Sequence, residues 1–391
     1  MGWGKRIAGG IAGLVVIGAG AFFALAPGIA ENGQNHVVPH APWPVSPEAE
    51  ALHKRLIVGD WHSDALLWDR DLLTRSKRGQ VDLPRLRAGN VALQVFTTVT
   101  KSPAGQNYDH NASDARDNIT TLVIAEARPP KTWFSLLERG LDQAARLNAM
   151  AAKAPDQLKV IRTKSDLDAV LAARANGAQL VGGILGAEGG HLLEGKIENL
   201  DRIYDAGFRL MGLTHFFDNE LGGSLHGEDD AGLTPFGREV VAGMMEKHMV
   251  IDLAHASVQM ARDVLAIPGT RPIVSHSGIF GICPHKRNFP DDLMQAIAAK
   301  GGVIGIGYWE EAACDPTPKG IATMITGAID LLGEDHVSLG SDFDGAVETD
   351  FDSSELAALT QALLDQGLSE GTIAKVMGGN MVRMLREALP D

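Results

Sequence analysis

Cysteine is scarce in this sequence: Cys283 and Cys314 are the only two among 391 residues. Two thiols are too few for a disulfide framework or for a structural zinc site built from thiolates. An oxidising compartment would allow the two to pair, but the usual burial of cysteine favours two free thiols. The sequence leaves that choice open and excludes a fold that depends on disulfides.

Long runs of basic residues are missing as well. The chain has 35 Lys and Arg against 49 Asp and Glu, which gives a formal net charge of -14 at pH 7. Because a nucleic-acid-binding surface needs clustered positive charge, the composition argues against nucleic acid as a partner.

Charge is absent from one long stretch, residues 7–30, which Lys5 and Arg6 precede. At about 1.5 Å per residue, a helix of this length can cross a hydrocarbon layer about 30 Å thick. The positive flank predicts that residues 1–30 form a membrane anchor with the following domain exported to the periplasmic or extracellular side. Residues 24–26 resemble a signal-peptidase site, so cleavage and secretion is the alternative. The length of the run and Pro27 favour retention.

The rest of the chain divides into a linker and one large domain. Residues 31–47 are rich in proline and polar residues without a period, which predicts a linker. Over 48–391, short β-branched runs alternate with helical patterns, as in a parallel sheet with crossover helices. The candidate strands lie at 55–60, 91–99, 179–188, 208–215, 249–255, 271–277, 301–308 and 336–342. Since eight strands can close a barrel, the sequence predicts an α/β fold of the (β/α)8 TIM barrel type.

One interval between strands is longer than the others. Residues 100–178 contain at least two helical patterns and a candidate extra strand in LKVIRT. This interval predicts an elaborated helical insertion over one edge of the barrel.

Residues that can bind a metal recur at or just past the ends of the candidate strands. They are His62, Asp64, Glu188, His191, His215, His255, His276, Asp342 and Asp344. Barrel enzymes place their catalytic groups at the carboxyl ends of the strands. Imidazole nitrogens combined with carboxylate oxygens suit zinc or another divalent transition metal better than magnesium or calcium. The pattern therefore predicts a zinc-like site.

Two local patterns add detail to this site. In His62-x-Asp64 the alternation of a strand would turn both side chains to one face, where they could grip one ion. Glu188 lies where a carboxylate with two oxygens could bridge two ions about 3.5–4 Å apart. The pattern thus predicts two divalent metal ions, with zinc favoured.

Seven motifs strengthen this interpretation because they occur together and in a fixed order. They are WHSDALL, GAEGGH, LTHFFDNELGGS, IDLAHAS, PIVSHS, KRNFPDD and GSDFDG. The set closely resembles the renal or membrane dipeptidase family of zinc metallopeptidases, over nearly all of residues 55–385. The resemblance implies an amidohydrolase-like (β/α)8 barrel, usually homodimeric, that hydrolyses dipeptide-like amide bonds.

The resemblance also implies the ligands of each metal ion. It implies that His62 and Asp64 bind one zinc ion, that His255 and His276 bind the second, and that Glu188 bridges the two.

Three further residues receive roles in the reaction from the same resemblance. It implies that His215 and Arg287 contact substrate and that Asp342 is the catalytic acid/base. In the predicted reaction a hydroxide that the two metals bridge attacks the amide carbon, which agrees with the lack of a nucleophilic serine signature. Arg287 could grip a terminal carboxylate, and the alternative for an arginine in KRN is a position at the surface. Asp344 is the rival of Asp342 for proton transfer.

Two other function classes stay open at this stage. A related dinuclear amidohydrolase acting on lactams, lactones or other small esters and amides would use the same barrel and metals. A non-catalytic exported binding protein would keep the barrel without turnover, but the intact ligand set argues against it. Trp61 and Ser63 depart from the usual family residues around His62, so the exact dipeptide preference is not predicted.

Overall fold

A ring of parallel strands forms the centre of the computed structural model, which describes residue 18 and residues 20–391. The strands are β1 (His36–Val37), β2 (Val58–Asp60), β3 (Val91–Thr98), β4 (Leu158–Val160), β5 (Val181–Ala187), β6 (Phe208–Gly212), β7 (Val250–Asp252), β8 (Val274–Ser277), β9 (Ile304–Ile306), β10 (Val337–Leu339) and β11 (Glu348–Thr349). Strands β2, β3 and β5 to β10 fall inside the eight predicted segments. The prediction of these strands is confirmed.

These eight strands lie side by side in chain order, and all their pairings are parallel. Strand β10 pairs with both β9 and β2. A parallel bridge between Asp252 and Ile273 connects the end of β7 to the residue before β8. The path of strands therefore closes into a barrel-like ring, and the carboxyl ends of the strands open on the same side.

The remaining strands lie outside this ring. Strand β4, in the LKVIRT sequence, pairs with the first half of β5, so the predicted extra strand is confirmed. Strands β1 and β11 form a separate two-stranded parallel sheet in which His36 pairs with Glu348.

Helices form most of the connections between strands. They are α1 (Pro47–His53), α2 (Leu83–Ala88), α3 (Asn118–Ala125), α4 (Leu136–Lys153), α5 (Lys164–Ala175), α6 (Glu198–Ala206), α7 (Pro235–Glu246), α8 (Val258–Ala266), α9 (Asp291–Ala299), α10 (Glu310–Ala313), α11 (Pro318–Leu332), α12 (Leu356–Asp365), α13 (Glu370–Ala374) and α14 (Asn380–Ala388). Residues 20–32 are helical as well. Helices α7 and α11 begin with proline after a threonine whose hydroxyl accepts a main-chain N–H, a common helix start. The predicted insertion at 100–178 contains α3, α4, β4 and α5.

Two glycines allow β8 to lie very close to its neighbours. A Cβ added to Gly305 or Gly340 would lie 2.1 or 1.8 Å from the main-chain oxygen of Ser275. Any larger residue would push β8 away. The glycines therefore help to fix the position of His276, which follows Ser275 directly.

The two cysteines are paired. Cys283 and Cys314 form a disulfide whose Cα atoms are 5.6 Å apart. The expectation that two free thiols are favoured is therefore wrong. Pairing depends on how the loop after β8 packs on α10, which neither cysteine's local sequence indicates.

The predicted linker at 31–47 is packed on the barrel over its first part. Glu31 is 1% exposed and forms ion pairs with Arg70 and Arg78, and β1 pairs with β11. The segment ends where Ser46 caps α1 by accepting the N–H of Ala49 at 3.1 Å. Residues 31–37 thus pack as part of the barrel domain rather than as a free tether.

The predicted membrane anchor at 1–30 lies mostly outside the described residues, which omit 1–17 and 19. Within the part of the chain that is described, no helix combines the length and the apolar character needed to span a bilayer. The anchor stays a prediction.

Candidate metal centre

The end of β2 carries the first two predicted ligands, His62 and Asp64. The preceding carboxylate, Asp60 Oδ1, accepts the main-chain N–H of His62 and that of Ser341, each at 3.0 Å. Thr97 in β3 donates its hydroxyl to the carboxylate of Asp64. Buried hydrogen bonds therefore tie the end of β2 to β3 and to the loop after β10.

A similar arrangement fixes the ligands at β7 and β8. Asp252 Oδ1 accepts the N–H of Ala254 at 3.0 Å and that of Ser275 at 2.8 Å. The hydroxyl of Ser275 lies 2.7 Å from Nδ1 of His276 and 3.2 Å from Nδ1 of His62. One hydroxyl thus orients two rings, because contacts to the other ring nitrogen fix how a ligating histidine points. Nε2 of both rings is left to face the centre of the site.

Glu188 follows β5 directly, and its two carboxylate oxygens face different histidines. Oε1 lies 3.4, 3.2 and 3.4 Å from Nε2 of His62, His255 and His276. Oε2 lies 3.4 Å from Nε2 of His215 and has no hydrogen-bond partner among the described residues. A carboxylate in this position can serve two ions at once.

The predicted ligands converge on one buried region. Groups of ligand atoms within 4.8 Å of one another are His62 with His276 and Asp342, Glu188 with His215 and His255, and His62 with Asp64 and Glu188. Nε2 of His255 and Nε2 of His276 are only 3.0 Å apart. Buried imidazole nitrogens and carboxylate oxygens that face one another in this way suit divalent transition metals. The residues present therefore fit the predicted metal site.

Burial and nearby charge set the protonation of these ligands. Burial raises the pKa of the Glu188 carboxyl, but the nearby imidazoles of His215 and His62 outweigh it and hold that pKa well below its usual value. Burial lowers the pKa of His255 and of His276 well below the usual value. An ionised carboxylate and neutral imidazoles are the forms that bind metal ions, and Glu188, His255 and His276 have these forms. His62 differs: burial lowers its pKa, but the carboxylates of Glu188 and Asp64 outweigh burial and hold that pKa well above its usual value.

Asp342 and Asp344 lie two residues apart but have different surroundings. Asp342 lines the pocket beside the ligands, with Oδ1 3.8 Å from Nε2 of His62, and burial raises the pKa of its carboxyl well above the usual value. Asp344 is fully buried, forms an ion pair with Arg70 and accepts the N–H of Gln80 at 2.6 Å. Asp342 thus faces the site, and Asp344 braces the loop.

Two residues of the site adopt an unusual backbone conformation. His255 has φ of 65° and Asp342 has φ of 62°. Residues other than glycine seldom have positive φ, and such conformations are concentrated at functional sites. The loops after β7 and β10 therefore direct these two side chains at a small conformational cost.

Arg287 lies in the same pocket and is buried, with 2% of its surface exposed. Its Nη2 donates to the main-chain oxygen of His276 at 2.6 Å, and its guanidinium carbon lies 5.2 Å from the centre of the Trp309 ring. The side chain makes no other hydrogen bond with the described residues, so further N–H groups are free to bind a ligand. A surface position for this arginine is excluded.

Aromatic residues form one wall of the pocket. Tyr108 and Phe216 both line it, with ring centres 5.4 Å apart. The hydroxyl of Tyr108 accepts a hydrogen bond from Nε1 of Trp309 at 3.0 Å. Tyr108 was not among the predicted site residues, because it lies in the insertion, away from any strand end. A tyrosine in an irregular segment gives no local signal of function.

One histidine near a strand end does not join the metal cluster. His191 is buried, its Nε2 lies 2.9 Å from the hydroxyl of Thr100, and its ring packs 4.9 Å from that of Phe217. Burial lowers its pKa to about 3. His191 thus remains neutral and packs behind the site.

Comparison with known proteins places these features in a family. The model of a family described as membrane dipeptidase, peptidase family M19, matches residues 46–389. Dipeptidase aclJ of Aspergillus oryzae is 28% identical over 357 residues, which cover 86% of this chain and 79% of that protein. The probable dipeptidase PvdM from Pseudomonas aeruginosa has a TM-score of 0.73 at 20% identity, covering 87% of this chain and 97% of that one.

A second solved structure has the same fold. It is a metallo peptidase from Rhodobacter sphaeroides, liganded with a phosphinate mimic of the dipeptide L-Ala-D-Ala. Its TM-score is 0.68 at 24% identity, and the match covers 85% of this chain and 99% of that one.

Proposed function

Because this chain belongs to the membrane dipeptidase family, peptidase family M19, we propose that it hydrolyses dipeptides with two divalent metal ions, zinc by preference. The observation that carries the proposal is the convergence of five buried ligands, His62, Asp64, Glu188, His255 and His276, beside a pocket. Divalent ions bound there would acidify a water molecule and polarise the carbonyl oxygen of the substrate.

Arg287 supports the choice of a short substrate with a free carboxylate. Its buried guanidinium faces the pocket that also contains Glu188 and Asp342. A planar guanidinium can hold a carboxylate by two parallel hydrogen bonds. Since the clamp lies within the same small pocket as the metal ligands, a substrate held by both has its scissile bond close to its carboxylate. Dipeptides meet this requirement.

His215 and Asp342 are placed to act on the scissile amide. His215 lines the pocket next to Glu188, where its imidazole could hydrogen-bond the carbonyl oxygen as negative charge develops there. Asp342 lines the same pocket near His62, where its carboxylate could accept a proton from water and return it to the leaving amine. These roles need no nucleophilic side chain.

A substrate panel tests the proposed activity. The full chain, loaded with zinc, is assayed with L,L and L,D dipeptides, their C-terminal amides, tripeptides, lactams and lactones. We expect hydrolysis of dipeptides with a free carboxylate and little hydrolysis of amides and tripeptides. Activity confined to lactams or lactones would move the assignment to a different amidohydrolase. Metal-loaded protein that is inert toward every substrate would contradict an enzymatic function.

Replacing Arg287 by Met is expected to lower kcat/KM for dipeptides by about 10- to 100-fold, because hydrogen bonds to charged groups contribute about 1.5–3 kcal/mol. Most of the loss should appear in KM. Hydrolysis of the C-terminal amides, which lack the carboxylate, should change little. Steady-state kinetics on paired acid and amide substrates measures both effects.

Lys286→Met is the matched control for this experiment. Lys286 precedes Arg287 in the chain but is exposed, so its loss should leave both kinetic constants unchanged. The clamp would be disproved by an Arg287→Met enzyme that loses activity equally on the acid and amide substrates.

A further inference from the structure

The segment that leads out of the predicted membrane anchor is rigidly attached to the barrel. Pro27 is buried, and a Cβ added to Gly28 would lie 2.8 Å from Nη1 of Arg78. Glu31, 1% exposed, is paired with Arg70 and Arg78. The orientation of the helix at 20–32 is therefore fixed relative to the catalytic domain.

This attachment lies at the mouth of the metal pocket. Gln34 lines the pocket, and Asn35 Oδ1 accepts the N–H of Ala346, another lining residue, at 2.9 Å. The helix ends at residue 32, and two residues of chain span at most about 7 Å. The main chain of Gln34, an exposed residue that lines the pocket, is thus within about 7 Å of the end of this helix.

The same helix exposes large apolar side chains. Phe22 is 40% exposed, Phe23 47%, Leu25 58% and Ile29 67%. They are four of the seven large hydrophobic side chains that are exposed among the described residues. This helix continues an uncharged run that begins at residue 7, so its apolar surface points to a lipid environment.

The most exposed of those seven side chains lies on a separate loop that packs beside the helix. Phe134 is 88% exposed, and its ring centre is 6.4 Å from that of its neighbour Trp133. Trp133 packs on the same small hydrophobic cluster as Ala30, near the end of the helix. The exposed Lys131 lies in the same loop. Aromatic and basic residues together are typical of the membrane interface.

We propose that the loop containing Lys131, Trp133 and Phe134 is a second membrane contact, which holds the mouth of the metal pocket against the bilayer surface. The proposal rests on the predicted N-terminal anchor and not on the substrate of the enzyme. Phe134 enters the headgroup region, and Lys131 contacts anionic headgroups.

A fluorescent probe at position 134 tests this contact. Both native cysteines are in the disulfide, so Phe134→Cys introduces one free thiol that can carry an environment-sensitive dye. The matched control is Ala178→Cys, an exposed position before β5 at the opposite end of the barrel. The full chain is reconstituted in nanodiscs of phosphatidylcholine and phosphatidylglycerol, with and without nitroxide-labelled lipid.

We expect blue-shifted emission at position 134 and loss of most of it with nitroxide lipid, with neither effect at position 178. A probe at 134 that behaves like the one at 178, in protein that stays in the nanodisc, would overturn the contact but leave the anchor. Protein that leaves the bilayer would overturn both. A blue shift that grows with protein concentration and ignores nitroxide lipid would assign the surface to a second copy of the chain. Dipeptide hydrolysis in the same samples reports separately on the proposed function.

Discussion

Glu188→Gln is expected to remove bound metal and activity together. The substitution keeps the size of the side chain but removes the negative charge that faces Nε2 of His62, His255 and His276. An amide has one carbonyl oxygen, so it cannot serve two ions as a carboxylate does. Loss of groups outside the direct ligands already costs about 10- to 100-fold in metal affinity, and a bridging ligand should cost at least as much.

Metal content after dialysis, together with kcat at increasing zinc concentration, measures this effect. Glu220→Gln serves as the control, because Glu220 is exposed in the loop after β6, and it should keep the metal content and kcat of the unmodified protein. A Glu188→Gln protein that retains two ions per chain and full activity would exclude the bridging role.

The sequence predicts best those metal ligands that lie at the carboxyl ends of parallel strands. Four ligands each lie in a strand or at most three residues after it, and the apolar run of each of these strands is visible in the sequence: His62, Glu188, His255 and His276. Once these runs are recognised as parallel strands of one ring, their carboxyl ends must meet. The convergence of the ligands then follows without knowledge of any single distance.

Other features depend on contacts between distant segments and leave no local signal. Glu31 pairs with Arg70, although its neighbours have the polar composition of a linker. Cys283 pairs with Cys314 only because the loop after β8 and α10 meet in space. Tyr108 reaches the pocket from the insertion. Such contacts are decided by tertiary packing, which residue composition and periodicity do not encode.

The two aspartates of GSDFDG also differ in a way that depends on tertiary packing and that the sequence does not reveal. Position alone makes both Asp342 and Asp344 candidates for proton transfer, since both follow β10, and only the family resemblance favours Asp342. The structure separates them: Asp342 lines the pocket, and Asp344 is held by Arg70 and by the N–H of Gln80. This difference allows the catalytic and structural contributions of the loop to be measured separately.

Asp342→Asn is expected to lower kcat by about 10²- to 10⁴-fold, the usual contribution of a general acid/base. Asparagine keeps the shape of the side chain but cannot accept a proton and return it. Because Oδ1 of Asp342 is 3.8 Å from Nε2 of His62, a ligand role is the competing explanation. Metal content decides between them: a proton carrier leaves it unchanged, whereas a ligand lowers it as severely as Glu188→Gln does.

Asp344→Asn is the matched control because it changes the same chemical group two residues away. It breaks a buried ion pair with Arg70, and removing one partner of such a pair costs about 3–5 kcal/mol of stability. We therefore expect a lower Tm for Asp344→Asn, with kcat of the folded fraction much less affected than in Asp342→Asn. Thermal unfolding and kcat are measured on both variants. Asp344→Asn should have the lower Tm, and Asp342→Asn should have the lower kcat. If Asp342→Asn keeps full kcat while folded Asp344→Asn loses it, the proton carrier is Asp344 and the assignment of Asp342 is wrong.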